Sequence, residues 1–340
     1  MLSNSVTGTI LKIYFGLCFV IDIFSFVLYI LILFFIGNRI IKKDKFYSSS
    51  FYKLILFNGI LDLIYIVEEY ITFRIPQIGF FENFYINIFP KVIYGKILAT
   101  YSIAQLIFAS LIGITITLNR FIAIKYPIKY KYFNSGWRFI LLCTWPLFIS
   151  IVVFIIFYKK DIGYQFNHNK GITVYCKDLY LSSLIWQITI TIHLIALSIN
   201  VILNVILIYT IKKLDKLQKI NNSIKKNEEK LEISLARFAV VYCTFFAVIV
   251  FVEISLIIAI SFKAIKVVEN IFTTYAFIQT VMVFFTPYTL LYLSYDFRQK
   301  LFHFIGISKL LFFGNKKKIM VKTIKVSSNV FKSKFSSSKS

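Results

Sequence analysis

Seven stretches of this chain run for about 20 residues or more with few charges: 13–36, 51–71, 92–118, 139–158, 179–209, 235–262 and 267–293. That is the length an α-helix needs to cross the hydrocarbon core of a bilayer, roughly 30 Å thick. Hydrocarbon offers no partner to an exposed backbone amide, so a spanning chain must be helix or closed barrel. The fold expected is all-α, a bundle of seven transmembrane helices. Composition agrees, with 58% hydrophobic residues, 38 Phe and a mean hydropathy of +0.76, all well above soluble usage. No basic segment and small-residue cleavage site precede the first run, so that run is expected to insert uncleaved.

Charge lies between the runs. Of the 39 Lys and Arg residues, 28 follow runs one, three, five and seven; Arg39, Arg120, Lys212 and Arg298 are among them. Ten fall on the alternate faces, including Arg74, Lys96 and four between 159 and 178. Cations in short loops stay in the cytoplasm. The N-terminus is therefore expected outside and the C-terminus inside, as seven crossings also require. A net charge of +24 spread over short loops and a tail excludes nucleic acid as a partner and points to a bilayer with an anionic inner leaflet. The helix bundle is expected over 1–312 and a disordered Ser/Lys-rich cytoplasmic tail over 313–340. After run seven, Phe297, Leu301, Phe302, Ile305, Leu310 and Leu311 form an apolar stripe, the pattern of a short amphipathic helix on the membrane surface. Runs five and six are long enough to continue beyond the bilayer as helix.

Catalytic patterns are absent from the sequence: no paired-histidine zinc helix, Gly-rich phosphate loop, nucleophile elbow or Cys-pair site occurs. No catalytic residue, metal or cofactor is expected. Of four cysteines only Cys176 lies in a loop, with no loop partner for a disulfide. No lysine lies between Asn270 and Leu293, which speaks against a retinal Schiff base there. Ionisable groups inside spans are rare and carry function by default. Here they are Asp22, Asp62, His193 and Glu253. Asp62 stands one turn from Asn58 and reads either as a polar node that shifts when helices rearrange or as structural glue. Asp22 reads as reaching the interface and His193 as a packing histidine. Glu253 reads as facing an external cavity or as a boundary carboxyl. Glu68, Glu69, Lys96 and Glu269 lie near the outer run ends and are expected to reach water.

The third run stops abruptly at Asn119-Arg120, and a basic, aromatic segment with Pro127 follows: LNRFIAIKYPIKYKYF, residues 118–133. On composition Arg120 is either a topology anchor or a switch. Together with FNGILDLIYIVEEYITFRIPQIGFF (57–81) and SYDFRQ (294–299), this stretch resembles the nematode serpentine chemoreceptors of the G-protein-coupled receptor superfamily, most closely the gamma class or a close sibling class. The resemblance spans about 10–310. It implies a chemosensory receptor, not an enzyme, in the plasma membrane (including that of a sensory cilium), with a heterotrimeric G protein as partner. Asn119 and Arg120 match the inner end of helix three, where the arginine holds the inactive bundle and then engages the G protein. Tyr126, Pro127 and Ile128 match the loop turn that contacts the G protein, Asp62 the polar position of helix two, and Pro287 and Tyr288 the seventh-helix proline motif. Asn119 replaces the usual acid, so the resting partner of Arg120 does not follow from the resemblance. Thr286 replaces an asparagine, run six has no proline and run three has no outer cysteine.

A small ligand entering between the outer ends of helices three, five, six and seven would shift the bundle by its difference in affinity for two packings. The candidates that face it are Tyr101, Gln105, Trp186, Gln187, Glu253, Tyr275 and Gln279. An aromatic-rich cavity suits small volatile or lipid-like molecules. The alternative is a seven-span transporter or ligand-gated ion channel, against which stand the few intramembrane charges and the lack of an internal repeat.

Overall fold

The computed structural model describes residues 2–44, 46–166, 171–220, 226–262 and 264–306. Among these, the helices are α1 (Leu2–Ile41), α2 (Ser50–Glu69), α3 (Ile75–Ile78), α4 (Ile93–Lys125), α5 (Pro127–Phe133), α6 (Gly136–Phe157), α7 (Leu179–Ile220), α8 (Lys226–Ser261), α9 (Ile265–Leu293) and α10 (Tyr295–Ile305). A π-helical turn, Tyr70–Arg74, joins α2 to α3 without a break. Six helical stretches are long and apolar enough to cross a membrane, and α9 adds the apolar segment Ile278–Leu293. This is a mostly helical structure consistent with a seven-span bundle. The fifth and sixth spans do continue beyond their apolar runs, α7 to Ile220 and α8 back to Lys226.

One element departs from an all-α fold. The segment after span four forms an antiparallel hairpin, β1 (Ile162–Phe166) with β2 (Ile172–Cys176). Gly163 pairs with Tyr175, whose ring lies over it, 2.6 Å from where a Cβ would stand. Ile162, Tyr164 and Ile172 pack with Tyr85, Phe89 and Ala99, seating the hairpin over one end of the spans.

The helix α4 is the most buried span and touches α2, α6, α7 and α8. Its sequence allows this: Gly113 faces Tyr242 of α8, where a Cβ would stand 2.4 Å from the ring. Large apolar side chains such as Phe24, Phe34, Ile155 and Phe251 point outward, while Asn119, Thr115, Asn200 and Glu253 are buried. That inversion of soluble packing is what a hydrocarbon solvent selects.

The chain divides into two units, through Thr289 and from Leu290 onward. In the second unit, Ser294 Oγ caps α10 by accepting from the Phe297 N–H at 3.3 Å, and Phe297 and Leu301 are its buried face. This is the amphipathic helix expected after span seven; Leu310, Leu311 and the 313–340 tail lie outside the described residues.

Candidate functional site

At one end of the bundle, α4 stops where Pro127 begins α5. The residue before a proline avoids helical geometry, and Tyr126 sits at φ −132°, ψ 61° between the two helices. Pro127 serves at the first turn of α5, where its missing N–H costs nothing. The turn brings Tyr130 back over Arg120. Arg120 is 1% exposed. Its guanidinium donates to Asn119 Oδ1 at 2.8 Å and to the Tyr130 hydroxyl at 3.2 Å, and lies 4.4 Å over the Phe51 ring. Asn119 in turn donates to Ser50 Oγ at 3.1 Å and Asn134 Oδ1 at 3.0 Å, and Ser50 shares a 2.6 Å hydrogen bond with Tyr130. Asn119 thus supplies the oxygen that an acid at that position would have offered. Tyr126 is exposed, and Ile128 is 91% exposed, an apolar side chain presented outward.

In the middle of the bundle, His193 of α7 meets Glu253 of α8 at 2.7 and 2.9 Å through Nδ1. The Tyr275 hydroxyl of α9 donates to Glu253 Oε1 at 2.6 Å, and His193 Nε2 lies 3.3 Å from the Leu106 carbonyl of α4. A carbonyl only accepts, so Nε2 carries a proton. One chain of hydrogen bonds therefore ties four spans together. Beside it is a cavity of about 30 Å³ lined by Asp62, Gln105, His193, Gln279 and Met282, room for one or two waters. Tyr65 donates to Gln279 Oε1, leaving the Gln279 amide nitrogen buried without a bond. Asp62 accepts from the Tyr29 hydroxyl at 2.8 Å and Asn58 at 2.7 Å, and Tyr288 shares a 2.8 Å bond with Ser25.

A third polar cluster was missed by sequence reasoning. Glu68 and Glu69 do not reach water; each is 2% exposed, and Asp22 is 6% exposed. Arg74, counted with the loop cations, is 3% exposed. It pairs with Asp22 and with Glu69 at 3.3 Å, and lies 4.9 Å from the Tyr70 ring. The π-helical turn makes this possible, because there residues five apart come onto one side. Pro76 shapes the same turn. It has no N–H to offer the carbonyls a turn earlier, and the Tyr85 hydroxyl takes the Ile71 carbonyl at 2.7 Å while Tyr164 takes that of Thr72 at 3.2 Å. The signal available in the sequence was Arg74-Ile75-Pro76, an arginine and a proline within a continuing apolar run.

At the hairpin, Lys96 bonds Asp161 at 2.5 Å, which holds that carboxyl below its ordinary range. Lys160 is buried, with its ammonium 3.4 Å from the Ala99 carbonyl. Desolvation pulls it down to about 8, against the opposing pull of Cys176 and Glu68.

Of the ligand candidates, Gln105 and Gln279 line the small cavity, Glu253 and Tyr275 connect to it through His193, and Trp186 meets Tyr275 edge-on at 6.1 Å. Gln187 does not join them. It is exposed, because α7 turns Trp186, Thr189 and His193 inward and position 187 is rotated about 100° from 186. Tyr101 faces a different cavity, between α1, α2, α4 and α6. Among the described residues no group of His, Cys, Asp and Glu could hold a metal ion, and Cys18, Cys143, Cys176 and Cys243 are free thiols.

Residues 18–307 match the family model for the serpentine type 7TM GPCR chemoreceptor Srv. A 160-residue stretch, 44% of the chain, is 28% identical to Serpentine receptor class V-1 of Caenorhabditis elegans and covers 46% of that protein. The match thus spans about half the length of this curated relative. Both matches name class V, where the resemblance drawn from 57–81, 118–133 and 294–299 named the gamma class or a close sibling.

Proposed function

Since the chain belongs to the serpentine type 7TM GPCR chemoreceptor Srv family, we propose that it binds a small ligand between α4, α7, α8 and α9 and signals to a heterotrimeric G protein through the Arg120 end. The observation that carries this reading is the His193–Glu253–Tyr275 chain, which joins those four spans beside a cavity. At about 30 Å³ that cavity is far below the 300–1,000 Å³ of ordinary ligand sites. Ligand entry must part these helices, and the work of parting them is how binding favours a second packing of the bundle. The far ends of the same helices then move away from α4 and open the Arg120 end to the G protein.

The split of cations, 28 against ten, supports a cytoplasmic Arg120 end and an external hairpin. Ile128, exposed beside Lys125 and Lys129, offers a G protein an apolar contact ringed by positive charge.

The test is a panel of small volatile and lipid-like molecules applied to the expressed receptor, with G-protein activation as readout. An activating compound should lose its effect in Arg120→Ala at matched surface expression. Unchanged signalling in that variant reduces Arg120 to a topology anchor, and ligand-evoked ion flux in bilayers lacking G protein replaces the receptor reading with a channel.

A further inference from the structure

We propose that Thr117, Asn200 and Asn204 form a polar seam between α4, α7 and α8 that is poised to open towards the Arg120 end and take up water there. This rests on the receptor reading above, in which α7 and α8 part from α4 at that end, and it supplies what sets the balance between the closed and the open packing.

Two contacts bracket the seam. Towards the hairpin, His193 of α7 lies 3.3 Å from the Leu106 carbonyl of α4 and meets the Phe246 ring of α8 at 5.6 Å. Towards Arg120, Leu207 of α7 packs with Ala236 and Ala239 of α8 and with Ile124 of α4. Thr117, Asn200 and Asn204 fall between these contacts along their helices, and so does Cys243 along α8. Thr117 precedes Ile124 by seven residues and Asn200 precedes Leu207 by seven. Seven residues make two turns, so each shares a face with the residue it precedes. Thr117 and Asn200 have no exposed surface, and Asn204 and Cys243 are buried.

Polar residues inside spans ordinarily bond across helices and hold them together, as Asn119 and His193 do. The seam is different. Neither Nδ2 nor Oδ1 of Asn200 has a hydrogen-bond partner, and Thr117 Oγ1 and Asn204 Oδ1 have none either. The Asn204 amide nitrogen donates at 2.9 Å to the Asn200 carbonyl, within α7 itself. Across to α8 it reaches only the Cys243 thiol, a weak acceptor. A buried polar atom without a partner counts against the packing that buries it. The closed seam holds four of them, and apolar side chains would suit it better. Parting α7 and α8 from α4 at the Arg120 end lets water reach all four, so hydration favours the open packing by the penalty the closed one carries. The seam thereby lowers the work a ligand must do to shift the bundle.

The experiment uses the full chain in nanodiscs, without ligand, and a charged methanethiosulfonate reagent, with labelled cysteines mapped by mass spectrometry. Cys243 should react as the seam opens. Cys143, buried with Leu54, Phe108 and Ile112, reports on general unfolding. Asn200→Leu and Thr117→Val remove unpaired polar atoms at nearly constant volume. Each should slow Cys243 labelling about tenfold, leave the Cys143 rate unchanged and raise the thermal midpoint. Basal nucleotide exchange on a co-reconstituted G protein should fall by a similar factor. Thr117→Val keeps the shape of the side chain, so the test stays decisive where Asn200→Leu folds poorly. A Cys243 that resists the reagent in the parent, a labelling rate unchanged by both substitutions, or a midpoint lowered by Thr117→Val makes these side chains structural and overturns the proposal. Slower labelling with unchanged exchange upholds the seam and rejects the G-protein reading instead.

Discussion

Tyr130→Phe isolates what restrains Arg120. The substitution keeps the ring and deletes one hydroxyl. That hydroxyl takes part in three hydrogen bonds: with Arg120 at 3.2 Å, Ser50 at 2.6 Å and Asn119 at 3.3 Å. None of the three partners is stripped bare. Arg120 keeps Asn119 Oδ1 at 2.8 Å and the Phe51 face, and Ser50 keeps the Asn119 amide at 3.1 Å. The loss is therefore closer to the net worth of the bonds than to the penalty for an orphaned charge. Side-chain hydrogen bonds between membrane helices average about 0.6 kcal/mol, so three of them come to about 2 kcal/mol. If activation breaks all three, the resting packing loses that much relative to the active one, and the resting-to-active ratio falls up to about thirtyfold. The assay is ligand-free nucleotide exchange on a co-reconstituted G protein, at receptor density matched by surface labelling. Tyr130→Phe should raise basal exchange several-fold. Tyr180→Phe, altering an exposed tyrosine outside both this network and the proposed G-protein contact, should leave it unchanged. Basal exchange at the parental level in Tyr130→Phe, with the protein folded, refutes the idea that this hydroxyl holds the resting state.

Two further outcomes concern the hairpin end. Tyr164→Phe removes the donor to the Thr72 carbonyl beside a proline that cannot replace it, and should lower the thermal midpoint in detergent by the equivalent of about 1–3 kcal/mol; an unchanged midpoint means the π-helical turn needs no such support. Lys160 sits near 8 in the folded protein against an ordinary 10.5, so below pH 8 the fold carries a buried ammonium at a cost of about 3 kcal/mol. Between pH 8 and 10.5 the unfolded chain binds more protons than the folded one, and stability should rise with pH across that window. Lys160→Met should be more stable than the parent at pH 7 and lose the rise, and a parent whose midpoint is flat from pH 8 to 10.5 contradicts the assignment.

The spans were legible because their signal is redundant. A run such as 92–118 has one solvent that suits it, and the helix found there, Ile93–Lys125, overshoots only at the charged end, where helix persists into water. Arg120 was legible for the same reason, as the point where such a run stops. The hairpin was not. Ile162–Phe166 and Ile172–Cys176 are five-residue runs of β-branched and aromatic residues separated by polar ones, a strand signal hidden by the loop charges around them. The His193–Glu253 contact was half legible. Each residue stood out as costly inside a bilayer, but their pairing joins positions 60 apart, and no periodicity within a helix reports on a neighbour.

The acids of α2 went astray for a geometric reason. Glu68 and Glu69 lie near the end of an apolar run, but helix continues through the π-helical turn to Ile78, about 14 Å farther along the axis, and the hairpin cluster then covers that end. The extra residue in the turn also rotates everything after it, so a helix wheel drawn through 50–78 puts Arg74 on the wrong side. Set correctly, Arg74 is an interior counter-ion. Its guanidinium sits against two buried carboxylates, Asp22 and Glu69, whose other partners are the hydroxyls of Tyr70 and Thr280, and removing it should cost more than either pair is worth, because buried charge is left without its counter-ion. This bears on the topology argument too. Arg74 was one of ten cations counted against an inside-positive arrangement, and buried Lys160 was another. Arg120, counted with the 28, is buried as well, so with the buried cations among the described residues set aside on both sides the split is 27 against eight instead of 28 against ten, and the asymmetry on which the orientation rests is kept.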